Sequence, residues 1–358
     1  MPYKKRRKKL HQKKIHRFHL ESILIITFVV MVLVLVSFDI ASNKKTPERI
    51  PTCGDGTFEN TCSPMKPYFC NDGILVEKAS LCGCNNFLTK SGDSCISDYY
   101  KKPGVVTLRY ILNGQKNEID FTVYEEANDY VSNISRVIYY IGKEIPSRAD
   151  FKHKNINGEI QRAMILPLVK EIQNLVPDDK VEQARIAISL VQNIPYGFSE
   201  KIFSFEGGEI NHSRYSYEVL YENQGICGEK SSLMAFLLKE IGYGVSIFYF
   251  ADENHEAVGI KCPVEKSLYN SGYCFVETGG PAIITDNSIE FIGGVNLSSI
   301  PEIILISEGI SLPENMYEYN DAKTLKDIRE KRLLGYLKIW RYNSIKERYN
   351  LGEVYNLR

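Results

Sequence analysis

Nine cysteines are distributed unevenly along this 358-residue chain, and their distribution limits the fold more than any other feature. Six of them lie close together, at Cys53, Cys62, Cys70, Cys82, Cys84 and Cys95. The segment has many Gly, Asn and Asp residues, and a region this short buries little apolar surface. Covalent crosslinks are therefore expected to stabilise it. We predict three disulfides, whose pairing the sequence leaves open.

Zinc is the alternative explanation for the clustered cysteines. Structural zinc sites commonly use Cys-x-x-Cys pairs or histidine. The segment contains neither, so the disulfide interpretation is favoured. No metal site is predicted elsewhere, no calcium-binding loop is found, and the expected chemistry requires no cofactor.

The three remaining cysteines predict one further disulfide and one free thiol. Cys262 and Cys274 flank a short loop between two strands that are expected to be neighbours, so they are candidates for a fourth disulfide. The alternative is that Cys262 or Cys274 is simply buried without a disulfide. Cys227 is left without a partner, and an unpaired thiol in a chain of disulfides is a candidate reactive group.

The first 40 residues predict a membrane anchor. Residues 1–20 contain nine Lys or Arg and no acid, whereas residues 22–38 are a 17-residue run without charge. That length is at the short end for a membrane-spanning helix, and the basic flank places the N-terminus in the cytoplasm. We expect the rest of the chain to be extracellular. A cleaved signal peptide is the main alternative, and nucleic-acid binding by the basic tail is disfavoured in this topology.

The sequence around Cys227 predicts an accessible thiol at the start of a buried helix. Gly225 and Gly228 lie on either side of it and allow a tight turn that leaves the sulfur uncovered. Apolar residues follow at helical spacing and the pattern ends at Gly242, as a helix with a glycine stop does. The free amides and the dipole of a helix N-terminus favour a thiolate there.

A histidine and a carboxylate farther along the chain are candidates for the proton transfer that a thiol nucleophile requires. His255 begins an apolar strand, and Glu277 ends a later one. If these two strands pair antiparallel, both side chains fall at the same end of the sheet. His255 would then accept the thiol proton, and Glu277 would hold the imidazole in one tautomer.

These residues together resemble the transglutaminase-like superfamily, most closely its microbial secreted or membrane-bound branch. The resemblance covers about Val181 to Gly280 and is carried mainly by three motifs, Gly-Ile-Cys-Gly-Glu-Lys-Ser-Ser-Leu at 225–233, His-Glu-Ala-Val-Gly at 255–259 and Phe-Val-Glu-Thr at 275–278. It implies a papain-like core with the cysteine, the histidine and an acid in that chain order.

Two positions depart from the family pattern. Glu277 stands where the family usually has Asp, and Ala257-Val258 replaces an aromatic residue often found two positions after the histidine. The catalytic residues that the resemblance implies are therefore Cys227, His255 and Glu277. For the oxyanion we expect the backbone amide of Cys227, with Gln224 or Tyr221 as a second donor.

The chain is accordingly divided into six parts, namely a basic cytoplasmic tail (1–20), a transmembrane signal anchor (21–40), a Cys-rich disulfide module (46–98), a hairpin and helical subdomain (103–176), a transglutaminase-like catalytic core (177–310) and a C-terminal helical segment (311–358). The predicted fold class is α+β, a papain-like core with extra helices, preceded by the transmembrane helix and the disulfide module.

Several local elements are predicted within these parts. Asn113-Gly114 is a turn signal between two strands, which indicates a hairpin. A helical pattern covers about 125–142, and another covers 178–193 with Asp178 as its expected N-cap. Residues 201–214 are polar and are expected to form a loop.

Residues 322–348 form a charged helical stretch with Leu333, Leu337 and Trp340 along one side. This side is expected to pack on its own domain, with the membrane surface or a partner as the alternatives.

The function expected from these observations is a membrane-anchored extracellular thiol enzyme that acts on amide bonds. Its substrate would be a protein, a peptide or cell-envelope material, and nucleic acid is not an expected partner. The sequence does not choose between hydrolysis and crosslinking. The alternative is an inactive module of the same fold that binds peptide or cell-envelope material.

Overall fold

The computed structural model describes Met31 and residues 52–86, 88–205, 208–287, 296–330 and 336–352. Met1–Ile50 and Pro51–Arg358 are separate units, and only Met31 of the first is described. The predicted basic tail at 1–20 lies outside the described residues, as does the predicted anchor at 21–40 apart from Met31. The membrane localisation therefore stays a prediction.

The cysteine-rich segment is a small module of two hairpins crosslinked by three disulfides. Its elements are the strands β1 (Tyr68–Asn71) and β2 (Ile74–Glu77), the short helix α1 (Ala79–Cys82), and the strands β3 (Thr89–Ser91) and β4 (Ser94–Ile96). The disulfides join Cys53 to Cys70, Cys62 to Cys82 and Cys84 to Cys95. The prediction of three disulfides is confirmed, and the structure supplies their pairing.

A long hairpin and four helices follow the module. They are β5 (Pro103–Leu112), β6 (Gln115–Tyr124), α2 (Glu125–Ser132), α3 (Arg148–Ile156), α4 (Glu159–Leu175) and α5 (Lys180–Asn193). Asn113 and Gly114 connect the two strands with φ of 52° and 79°, which is the positive-φ pair that a two-residue hairpin turn requires. The hairpin predicted from Asn113-Gly114 is confirmed.

Two helix ends differ from the sequence pattern. The helix predicted over about 125–142 ends at Ser132, where the guanidinium of Arg136 donates hydrogen bonds to carbonyl oxygens of the last turn of α2. The expected N-cap of α5 is Asp178, but the carboxylate of Asp179 accepts the amides of the first turn instead. Both ends depend on which side chain reaches the free backbone groups.

The nucleophile candidate lies on a buried helix that follows a second hairpin. The segment contains β7 (Ile202–Phe205), β8 (Gly208–Asn211), α6 (Ser216–Glu222) and α7 (Cys227–Ile241). The hairpin lies within 201–214, which the sequence predicts to be a polar loop. Helix α7 begins at Cys227 and ends before Gly242, whose φ of 112° is favourable only for glycine, so both predicted ends of this helix are confirmed.

A four-stranded antiparallel sheet packs against α7. Its strands along the chain are β9 (Val245–Phe250), β10 (His255–Lys261), β11 (Tyr273–Val276) and β12 (Glu302–Ser307), and their order in space is β11-β10-β9-β12. The side chains on one face join the core around α7. The loop between β10 and β11 is closed by the Cys262–Cys274 disulfide, which confirms the fourth predicted disulfide.

Two C-terminal helices, α8 (Tyr317–Arg329) and α9 (Tyr336–Tyr349), complete the described structure, where a single helical stretch is expected over 322–348. Phe248 and Phe275 of the sheet pack in one apolar cluster with residues of both helices. Trp340, expected on the packing side, is 57% exposed, whereas Tyr342 and Ile345 are buried. The C-terminal helices therefore cover the second face of the sheet. The side of α9 that packs there carries Tyr342 and Ile345, and not the expected Trp340.

The predicted fold class is wrong. The described residues form a mixed α/β arrangement in which one four-stranded sheet and several two-stranded sheets lie among helices, instead of the expected core with a preceding transmembrane helix. None of the described helices has the length and apolar character needed to cross a membrane. The longest of them, α4, has 17 residues and includes Glu159, Arg162 and Lys170.

Candidate active site

The site is organised around the first turn of α7, where Cys227 is half-buried and is the one cysteine of the nine that forms no disulfide. Glu229 accepts hydrogen bonds from the amides of Ile226 at 3.0 Å and Arg214 at 2.7 Å. The buried guanidinium of Arg214 also donates to Glu229 at 3.2 Å. These bonds hold the first turn of the helix in place, and Cys227 itself remains partly exposed.

The structure brings His255 and Glu277 together, although 22 residues separate them. His255 begins β10 and Glu277 directly follows β11, and the antiparallel pairing of these strands places both residues at the same end of the sheet. Nε2 of His255 lies 2.9 Å from Oε2 of Glu277, and both side chains are buried. The two strands pair antiparallel, and their register produces the contact between His255 and Glu277 that is predicted for this pairing.

The partners of His255 set its charge state. Burial alone would lower the pKa of the imidazole, but hydrogen bonds with Cys227 and Glu277, together with the charges of both, raise the pKa of His255 to about 10. The raised pKa means that the imidazole binds a proton readily once it receives one. An imidazole of this kind is the proton acceptor that a cysteine nucleophile requires.

Glu277 is itself held in place from two directions. Its second carboxylate oxygen, Oε1, accepts the amide of Gly279 at 2.6 Å. The side-chain amide of Gln192, near the end of α5, donates to the carbonyl oxygens of Glu277 at 2.9 Å and Ala282 at 3.1 Å. The carboxylate can therefore face the imidazole in one orientation only, as an orienting acid requires.

Lys230 is a buried cation one turn after Cys227. Its ammonium group donates to the carbonyl oxygens of Gln192 at 3.4 Å, Ile194 at 2.6 Å and Gly279 at 3.1 Å. Burial lowers the pKa of Lys230 to about 7, while the negative charges of Glu277 and Cys227 act in the opposite direction. Lys230 thus ties the end of α5 to the loop that carries the acid. The resemblance motif includes this lysine, but no role is predicted for it from the sequence.

Two hydroxyl groups attach the nucleophile helix to the strands that carry the other site residues. Thr278 donates to the carbonyl oxygen of Cys227 at 3.2 Å, and its hydroxyl lies 3.0 Å from that of Ser231. Ser231 also donates to the carbonyl oxygen of Glu256, the residue after His255, at 3.3 Å. The elements that carry the thiol, the imidazole and the carboxylate are therefore joined by one network of hydrogen bonds.

Helix α3 forms one rim of the site beside Cys227. Lys152 donates to the carbonyl oxygen of Gly228 at 3.3 Å and is ion-paired with Glu256. A Cβ atom on Gly228 would lie 3.0 Å from the Glu256 carboxylate, so this position has little room for a side chain. The guanidinium of Arg148, one turn earlier on α3, stacks on the ring of Tyr249 at 3.4 Å.

The two side chains predicted as oxyanion donors have other partners. Oε1 of Gln224 accepts a hydrogen bond from Arg214 at 3.1 Å, and its amide nitrogen is packed so closely on Gly197 that a Cβ atom there would overlap it. Burial raises the pKa of Tyr221, and the charged groups that act on it are led by Glu125 and Asp129 of the α2 region. Neither side chain is placed by these contacts against the thiol.

Tyr196 is close to the site and is absent from the sequence-based prediction. It forms an isolated parallel bridge with Gly225, two residues before the nucleophile, and its ring contacts that of Phe198 with centroids 5.9 Å apart. In the sequence it lies in a Pro-Tyr-Gly segment after α5 that matches no motif. Only the pairing of that segment with residue 225 brings it near Cys227.

In the described part of the chain, one group of side chains has possible metal-ligand atoms that lie within 4.8 Å of one another. The group consists of Cys53, Glu59 and Cys70. The two cysteines form a disulfide, so they provide no thiolate for a metal.

Comparison with known proteins identifies no relative, since no family model, no curated protein and no solved structure matches the chain.

Proposed function

We propose that this chain is a cysteine-dependent enzyme that acts on amide bonds, as a hydrolase or an acyltransferase. One observation supports the proposal above all others. A free cysteine that is partly buried at a helix N-terminus is hydrogen-bonded to a buried histidine, and that histidine is hydrogen-bonded to a buried glutamate. A nucleophile, a base and an orienting acid in this order are the parts that covalent acyl transfer requires.

The reaction follows from the roles of the three side chains. His255 takes the thiol proton, and Sγ of Cys227 forms a bond to the carbonyl carbon of an amide. The carbon–nitrogen bond then breaks, and the leaving amine takes the proton from His255. The resulting thioester is resolved by water, which yields a carboxylic acid, or by a second amine, which yields a new amide.

The substrate class follows from this chemistry and from the expected location. A protein, a peptide or cell-envelope material with an accessible amide is the proposed substrate. The four disulfides support an oxidising compartment, in which such substrates are available. The proposed steps use no metal ion or organic cofactor.

The first experiment measures alkylation of the native protein by iodoacetamide near neutral pH, with mass spectrometry to identify the modified residue. We expect Cys227 to react faster than free cysteine. His255→Ala should slow the reaction by about 10-fold or more, because the proton acceptor is lost. His153→Ala, a change in a histidine of α3 that has no contact with the triad residues, is the matched control and should leave the rate unchanged.

A thiol that reacts no faster than free cysteine in both wild type and His255→Ala would contradict the proposal and favour the alternative, a module that binds peptide or envelope material without turnover. A second experiment incubates candidate peptides and envelope polymers with wild type and Cys227→Ser. Mass changes produced by wild type alone identify the substrate and distinguish hydrolysis from amide formation.

A further inference from the structure

Tyr196 has the position and chemistry of a group that acts on the reacting carbonyl. The backbone of residues 195–197 runs parallel to Gly225, with the Gly225 amide donating to the carbonyl oxygen of Pro195 at 3.1 Å and the Gly197 amide donating to that of Gly225 at 3.3 Å. This pairing fixes the Tyr196 backbone two residues before the nucleophile. Tyr196 is half-buried, so part of the residue remains exposed beside the nucleophile segment.

The ionisable groups around Tyr196 are those of the site. Burial raises the pKa of its phenol, and the next largest contributions come from the negative charges of Cys227, Glu229 and Glu277. The hydroxyl is therefore neutral at physiological pH and keeps a proton to donate. The ring edge contact with Phe198 supports the orientation of the side chain from its other side.

The other candidate donors have different surroundings. Arg214 donates to Oε1 of Gln224, and Nε2 of Gln224 packs against Gly197. Acidic groups near α2 act on the phenol of Tyr221. The ammonium of Lys230 donates to three backbone carbonyl oxygens. Tyr196 differs from these side chains because its backbone is paired beside the nucleophile and because Cys227 is the foremost charge that acts on its hydroxyl.

We propose that the hydroxyl of Tyr196 donates a hydrogen bond to the oxyanion that forms when Cys227 attacks a carbonyl group. The inference rests on the proposed function and assigns the missing second donor beside the backbone amide of Cys227. As the carbon–sulfur bond forms, the carbonyl electron pair moves onto oxygen, and the phenol stabilises that charge without giving up its proton. When the tetrahedral intermediate collapses, the pair returns and the leaving group departs. Removal of one such donor in other enzymes slows the chemical step by about 100-fold or more.

The test uses two small reagents that differ in whether an oxyanion forms. p-Nitrophenyl acetate acylates the thiol through a tetrahedral intermediate and releases p-nitrophenolate, whereas iodoacetamide alkylates the thiol by displacement at a saturated carbon. Tyr196→Phe removes only the hydroxyl. We expect it to slow acylation by about 10-fold or more and to leave alkylation within about twofold of wild type.

Tyr221→Phe is the matched control, since it removes a hydroxyl from a tyrosine that is nearer to Cys227 in sequence but is influenced mainly by acidic groups near α2, and both rates should stay at the wild-type value. Unchanged acylation in Tyr196→Phe would overturn the inference. So would an equal slowing of both reactions, because Tyr196 would then act on the thiol and not on the oxyanion. If wild-type Cys227 is unreactive toward both reagents, the proposed function itself fails, which is a distinct result.

Discussion

Replacing Glu277 by glutamine tests the link between the sheet register and the reactivity of the thiol. In the wild type the pKa of His255 is raised from 6.5 to about 10 although burial opposes this. At about 1.4 kcal/mol for each pKa unit, the net shift favours the imidazolium by roughly 5 kcal/mol after the opposing effect of burial. Cys227 and Glu277 together supply at least this amount, and a hydrogen bond to a charged group contributes about 2 kcal/mol. Glu277→Gln should therefore weaken proton transfer to the imidazole by about 30-fold.

The assay is the rate of alkylation by iodoacetamide from about pH 6 to about pH 10, a range that spans the ordinary and the raised pKa of histidine. We expect Glu277→Gln to react up to about 30-fold more slowly than wild type near pH 7. The difference should shrink at the alkaline end, where the thiol loses its proton without help from the imidazole. A circular dichroism melt on each protein checks that the fold is retained.

Two further variants identify the cause of any change. Glu277→Asp keeps the negative charge on a shorter side chain and should retain more of the rate than Glu277→Gln. Glu302→Gln removes a carboxylate that is 53% exposed on the edge strand of the same sheet, and it should have no effect. A Glu277→Gln rate within about twofold of wild type near pH 7 would refute the argument, because the carboxylate would then make no contribution to the ion pair.

Three other changes address the framework of the site. The pKa of Lys230 is about 7 in the folded protein and 10.5 in its ordinary state, so between these pH values folding releases a proton and the lysine makes the fold more stable as pH rises. In urea unfolding at several pH values, Lys230→Met should lose this rise in stability. An unchanged pH dependence would contradict the assignment. Arg214→Met leaves Glu229 buried without its cation and should lower the free energy of unfolding by about 3 to 5 kcal/mol, whereas a loss below about 1 kcal/mol would mean that water replaces the guanidinium. Replacing Cys262 and Cys274 together by alanine opens a loop with a sequence separation of 12 and should reduce the free energy of unfolding by about 3 kcal/mol. Alkylation of Cys227 should not become slower. Slower alkylation would show that the disulfide helps to position the site.

Features that depend on neighbours in the sequence are predicted well. The turn at Asn113-Gly114 follows from the ease with which these two residues adopt positive φ, and the start of α7 at Cys227 follows from local glycines and helical spacing. The number of disulfides follows from the count of cysteines and from the lack of zinc-site spacing. Each of these conclusions requires only a few consecutive residues or the number and spacing of the cysteines.

Features that depend on contacts between distant segments are missed or wrong. The end of α2 at Ser132 is decided by the Arg136 guanidinium, and the fold class depends on which short strands pair. The burial of Lys230 against the end of α5 and the loop after Glu277 has no local signal, because its three carbonyl partners are 36 to 49 residues away. Such contacts are specified only when the chain is packed.

The sequence by itself determined the chemistry that the protein has available, namely one unpaired thiol at a helix start, a histidine at the start of one strand and a glutamate at the end of another. The tertiary structure alone decided that these groups meet. Antiparallel pairing of β10 with β11 puts His255 and Glu277 at one sheet end, and packing of α7 on that sheet brings Cys227 to them. The tertiary structure also decided that the backbone of Tyr196 lies beside Gly225, because an isolated bridge between residues 196 and 225 has no periodic pattern by which a sequence could reveal it.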